Sequence, residues 1–139
     1  MRFLLDTNIV SEARKGPRAN SGVLAWLEAT PSSSLWTSVL VLGELRRGVE
    51  SLRRRDPVSA RVLDRWLRDH RATQAERILQ VDEAVALRWG LLNVPDPVPT
   101  VDGLLAATAL VHGMTLVTRN TRDVVRTGAT LHNPFTAAE

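Results

Sequence analysis

The chain of 139 residues has no cysteine, no tyrosine, a single lysine (Lys15) and only two phenylalanines. Without cysteine there is no disulfide, no thiolate nucleophile and no zinc–sulfur site, and a reducing, cytoplasmic setting is the default expectation. Long apolar runs are also missing. The stretch from Gly103 to Val111 is about half of the ~20 residues that a membrane helix needs, and Asp6 interrupts the N-terminal MRFLLDTN, so neither a spanning helix nor a secretory leader is expected. What remains is 44% hydrophobic and 24% charged, an ordinary globular balance at a length suited to one domain over residues 1–139.

The net charge is +3 and the isoelectric point about 10.8. The second number overstates the basicity: with one lysine and no tyrosine or cysteine, little titrates between roughly pH 8 and 12. Distribution matters more. Residues 46–77 hold ten arginines against five acids, a segregated basic stretch of the kind that meets an anionic partner.

Apolar runs of strand length alternate with helical patterns, the signature of βαβ units and a mainly parallel sheet of four to five strands flanked by helices in three layers. Strands are expected at Arg2–Leu5, Leu35–Thr37, Ile78–Val81, Met114–Val117 and around Thr130–His132. Ser38 is a candidate N-cap for a helix to about Arg54, and Asp56-Pro57 starts another, to about Thr73, with Val58, Val62, Leu63, Trp66 and Leu67 as its apolar face. Asp82 caps a helix to about Leu92. Three prolines between Val94 and Pro99 make a rigid loop, after which Thr100 is expected to cap an apolar helix closed by Gly113.

Four acids stand where an acid is locally expensive or where the chain turns: Asp6, Glu44, Asp102 and Asp123. Each has an ordinary explanation. Asp6 ends the first strand and fits a helix cap. Glu44 borders an apolar face, where it needs a partner, and Arg47 lies three residues on. Asp102 falls in a first helical turn, which the macrodipole favours by about 0.3–1 kcal/mol. Asp123 fits a helix start. Converging carboxylates would repel one another and raise their pKa values, unless a hard divalent cation, which prefers oxygen ligands, neutralised them.

Leu4-Leu5-Asp6-Thr7-Asn8, then Thr37-Ser38 with Gly43-Glu44-Leu45-Arg46-Arg47-Gly48, then Val101-Asp102-Gly103 with Ala106-Ala107-Thr108-Ala109, then Leu116-Val117-Thr118-Arg119-Asn120 together resemble PIN-domain ribonucleases, the VapC toxins and especially their FitB-like branch. The resemblance runs from Leu4 to Pro134. It implies a PIN fold, an acid cluster binding Mg²⁺ or Mn²⁺, endonucleolytic cleavage of RNA, a homodimer and inhibition by a cognate antitoxin. By motif position Asp6, Glu44 and Asp102 match the metal-binding acids, and either Asn120 or Asp123 matches the fourth.

The chemistry so implied is hydrolysis of a phosphodiester by a metal-activated water, leaving a 5′-phosphate and a 3′-hydroxyl. Thr7, Asn8, Ser38 and Thr118 lie beside the acids as supporting groups or as caps. Arg46, Arg47, Arg53, Arg54, Arg55, Arg119 and Arg122 are the candidates for holding the RNA backbone, or else a solvated face. His70, His112 and His132 show no metal or acid–base spacing, and the four tryptophans read as packing. A phosphoacceptor domain would need a lysine near the phosphoryl group, and Lys15 sits in a loop beside Gly16-Pro17. The remaining alternative is a weakened PIN-like module that binds RNA or antitoxin without cutting.

Overall fold

In the computed structural model, which describes residues 1–136, five short parallel strands form the centre. The last three residues of the expected 1–139 unit lie outside the described residues. The strands are β1 (Phe3–Leu5), β2 (Leu35–Ser38), β3 (Ile78–Leu79), β4 (Thr115–Val117) and β5 (Leu131–His132), in the order β3-β2-β1-β4-β5. All four pairings are parallel. The helices between them are α1 (Thr7–Ala13), α2 (Ser21–Ala29), α3 (Val39–Arg53), α4 (Pro57–Thr73), α5 (Glu83–Leu92), α6 (Thr100–His112) and α7 (Thr121–Val124).

The order of strands explains the layers. From β1 the chain steps outward to β2 and β3, then returns to the other side of β1 for β4 and β5. Right-handed crossovers in opposite directions put α1–α4 on one face and α5–α7 on the other, with the reversal falling between β1 and β4.

Local chemistry sets the helix starts as expected. Ser38 Oγ accepts from the Leu40 amide at 3.0 Å, Asp56 Oδ1 from Ser59 at 3.1 Å with Pro57 in the first turn, and Asp82 Oδ1 from Val85 at 3.0 Å. Gly113, at φ 64°, ends α6 in the left-handed conformation that glycine takes without penalty. Leu4, Ile9, Val41, Val49, Leu105, Leu116 and Val117 form the buried centre of the core.

Two expectations change. Thr100 does not cap α6. The Pro99 carbonyl already accepts from Gly103 at 2.8 Å, so the cap falls one residue earlier and the helix expected from Asp102 begins at Thr100. Val58 and Val62 are not on the buried face of α4: each is 64% exposed, because the helical period places them roughly opposite Ala60 and Leu67, which are buried. Strand β3 is also two residues shorter than expected.

Gly103 marks the closest packing near the site. A Cβ there would stand 2.7 Å from Val98 Cγ2 and 3.3 Å from the Trp89 indole, whereas Gly90 on α5 faces open space. Gly103→Ala should lower unfolding stability by about 1–3 kcal/mol through overpacking, while Gly90→Ala should raise it by about 0.5–1 kcal/mol through helix propensity. Urea unfolding of both variants checks this; equal effects would mean that the α5–α6 contact is not tight.

Candidate active site

The parallel register brings the first pair of site residues together. Leu5 pairs with Val117, so the residues that follow, Asp6 and Thr118, leave the carboxyl ends of β1 and β4 side by side. This is the crevice where the strand order reverses, the position at which open α/β sheets gather ligands.

Asp6 is only 5% exposed, and its carboxylate is held by three groups. Oδ1 accepts from the Thr7 amide at 2.7 Å, which also caps α1. Oδ2 accepts from Thr118 Oγ1 at 2.7 Å and from Asn8 Nδ2 at 3.2 Å. Asn8 is fixed in turn, its Oδ1 accepting from the Arg119 amide at 3.1 Å, and the Asn120 amide donates to Thr118 Oγ1 at 2.9 Å. Burial pushes the Asp6 carboxyl above the usual carboxylate range; the Thr118, Thr7 and Asn8 bonds pull it back, and the charge of Glu44 adds to the rise.

Glu44 reaches the same rim from α3. Thr7 donates its hydroxyl to Glu44 Oε1, which ties the second acid to the residue next to the first. The Arg47 partner expected at i+3 is also present, at 3.9 Å and largely exposed, so it is a weak surface contact. Asp102 comes from the first turn of α6. A helix N-terminus should lower its pKa, yet the carboxyl is raised to about 6, by burial first and then by the charges of Asp6, Asp123 and Glu44. Burial, with the neighbouring carboxylates behind it, wins over the dipole, and Asp102 is the point at which the four acids feel one another.

The set is all oxygen and mutually repulsive, which is the chemistry that a hard dication relieves. Among the described residues no three acids lie close enough to encircle an ion. Magnesium is commonly held through one or two carboxylates with several waters, so this donor set suits it without a protein cage.

The other candidates divide. Asp123, on α7, contributes charge to Asp102, whereas Asn120 takes part through its backbone amide. Ser38 is buried and its hydroxyl is used as the cap of α3. Arg46 and Arg53 are engaged by Glu50 and Asp64, with Arg68 on the same Asp64. Arg119 lies over the Phe135 ring at 4.7 Å, and Arg54, Arg55 and Arg122 are exposed. The histidines stand apart: His70 stacks on Trp66 and His132 packs on Trp26. The sequence reading gave no role to Ser11 or Arg14, and Gly48 entered only as part of a motif. With Trp66 they line a recess beside Thr7 and Glu44, and a glycine in mid-helix is the one sequence signal of it.

The raised Asp102 pKa has a defined effect on stability. An acid whose folded pKa lies above its unfolded value near 3.8 contributes nothing below that pH and destabilises the fold increasingly as pH rises from about 4 to about 6. In EDTA, Asp102→Asn should therefore melt near the parent chain at pH 4 and above it at pH 7. A difference independent of pH would remove Asp102 from the cluster.

The profile of the PIN domain family matches residues 3–128. Toxin FitB of Neisseria gonorrhoeae is 31% identical over 141 residues, covering 96% of this chain and 98% of that protein. VapC ribonuclease Y4jK of Sinorhizobium fredii is 29% identical over 144 residues, covering 98% of this chain and 99% of that one. The solved structure of FitAcB from Neisseria gonorrhoeae superposes with a TM-score of 0.86 at 32% identity, over 95% of this chain and 97% of that chain. With the family profile spanning four of the five strands, the four acids and the helices that carry them, this chain belongs to the PIN domain family.

Proposed function

We propose that this chain is a divalent-metal-dependent endoribonuclease and the toxin of a toxin–antitoxin pair. The observation that carries the reading is the gathering of acids at one sheet rim, where Asp6, which is buried, and Glu44 are joined through Thr7 and the Asp102 carboxyl is raised to about 6 by burial first and then by the charges of Asp6, Asp123 and Glu44. A stabilising core has no need of such repulsion, whereas a centre for a cation and a phosphodiester does. Membership of the PIN domain family and the likeness to a toxin and to a VapC ribonuclease support it.

In this reading Asp6, Glu44 and Asp102 would hold Mg²⁺ or Mn²⁺, in part through the waters that the ion keeps, and Asp123, rather than Asn120, would be the fourth acid. When bound, the ion acidifies an attacking water and offsets charge on the phosphoryl oxygens. The chain's own part is orientation. Thr118, Asn8 and the Thr7 amide hold the Asp6 carboxylate in one direction, and the Thr7 hydroxyl does the same for Glu44. Asp123 stands exposed on the rim, facing the solvent from which the water and the strand arrive. Because the nucleophile is water and not a ribose hydroxyl, the products carry a 5′-phosphate and a 3′-hydroxyl.

Arg54, Arg55 and Arg122, exposed and in no salt bridge among the described residues, are better placed to meet an RNA backbone than Arg46 and Arg53, which are paired in place. The partners of the reading are RNA, a cognate antitoxin and a second copy of the chain, in the cytoplasm, with residues 1–139 acting as one domain. Among the described residues no helix is long and apolar enough to cross a membrane.

The purified chain should cut a mixed RNA pool in Mg²⁺ or Mn²⁺, stop in EDTA, and lose at least about 100-fold in rate as Asp6→Asn, with 5′-phosphate ends on the products. Undiminished cutting in EDTA would overturn the mechanism, and RNA binding with no cutting under any metal would favour the binding-module alternative. Replacing Arg54 and Arg55 with alanine should weaken RNA binding across sequences and flatten its dependence on salt. An unchanged salt slope would place the RNA elsewhere.

A further inference from the structure

Helix α3 contains two glycines, Gly43 and Gly48, and nothing in the fold asks for either. Neither has a positive φ, and a Cβ built at each meets nothing within 4 Å. A glycine inside a helix costs about 1 kcal/mol relative to alanine, a loss incurred here without any packing gain. The usual structural uses of glycine, a left-handed turn or a close approach of another element, are both absent at these two positions. The use that remains is to leave room beside the helix.

Gly48 leaves that room in a defined place. It lies in the wall of a recess of about 180 Å³ between α1, α3 and α4, together with Thr7, Ser11, Arg14, Glu44 and Trp66. Two of these residues, Thr7 and Glu44, are the bonded pair at the edge of the acid site, so the recess opens directly from it. Its floor is apolar, formed by Leu45, Val49, Leu63 and Leu67. Its aromatic element is Trp66, stacked on His70 at 5.1 Å with the Arg14 guanidinium 5.8 Å from the indole ring. The hydroxyls of Thr7 and Ser11 and the Arg14 guanidinium supply polar contacts on the same walls.

We propose that this recess is a base-selecting subsite, which seats one nucleobase of the RNA strand against Trp66 beside the nucleotide whose phosphate lies at the acids. The placement rests on the nuclease reading of those acids. The volume is below the range of drug-sized pockets and suits a single planar ring system. A nucleobase has apolar faces for the floor and the indole, and a polar edge for Ser11 and Arg14. Continuity with Thr7 and Glu44 ties the base to a fixed distance from the cut, which is what turns binding into sequence choice. The competing occupant is an apolar side chain of a protein partner, which would need no preference among bases.

The test separates this inference from the nuclease reading by measuring binding in protein that does not cut. Asp6→Asn is titrated with AMP, GMP, CMP and UMP separately, following tryptophan fluorescence. One nucleotide should bind at least about fivefold more tightly than another. Gly48→Leu, made in the same background, should fill the recess from a helical position that tolerates a side chain, erasing the preference while the melting temperature holds or rises. Ser11→Leu should do the same from the opposite wall. Gly43→Leu, the matched change on the same helix outside the recess, should keep the preference. Equal binding of all four nucleotides, or a preference that survives both Gly48→Leu and Ser11→Leu, overturns the subsite and leaves the recess to a protein side chain. Absence of RNA cutting by the parent chain would count against the nuclease reading alone.

Discussion

The structure turns on one buried contact, the Thr118 hydroxyl donated to Asp6 where β1 and β4 end together. A carboxylate that is almost fully buried is costly unless its oxygens are bonded, and here they receive an amide, a hydroxyl and a carboxamide from three neighbours. Those donors come from two distant parts of the chain, and only the parallel register of the two strands delivers them to the same place. Asn8 extends the arrangement by bonding back to the Arg119 amide, so that the loop after β4 is tied to the start of α1. Loosening this register would free the acid and disturb both segments at once.

Around that contact the molecule separates its charges by purpose. On the far part of α3 and on α4, acids stand among arginines: Glu50 and Asp64 take Arg46, Arg53 and Arg68 in one surface network. Such surface pairs add little stability each. At the sheet rim the acids are left facing one another, with Arg47 as a distant and exposed counter-charge. The fold tolerates this because the helices bearing Glu44 and Asp102 are anchored by core residues next to them, Leu45 and Val49 on one, Gly103 and Leu105 on the other. Hydrophobic burial thus holds in place groups that electrostatics would drive apart.

Much of this was legible in the residues. Helix starts follow from local chemistry, as with Ser38, Asp56 and Asp82, whose short side chains cap within three residues of themselves. The strand–helix alternation conveyed a parallel sheet, and the four acids stood out by position. Thr100 and Val58 with Val62 were misread for one reason: a competing group decides each. Pro99 offers the carbonyl that starts α6, and Ala60 with Leu67 are the residues that α3 covers, leaving the valines in solvent. Between Asn120 and Asp123 the sequence leaves a choice, because both stand on one short turn, where the charge of Asp123 reaches Asp102 and Asn120 contributes its backbone amide.

By itself the sequence determined whatever depends on neighbours along the chain: the caps, the proline loop, the helical periods, the absence of thiol chemistry, and which acids stand at strand or helix ends. The tertiary structure alone decided what depends on meeting across it: that Asp6 is bonded by Thr118, that Asp102 feels three other carboxylates, that Arg46 and Arg53 are occupied, and that Gly48 opens a recess beside Glu44. The division has a physical basis. Hydrogen bonds within a turn act over a few residues and leave their mark in local spacing, whereas burial and charge act through space, between groups that the strand order and the register bring within reach.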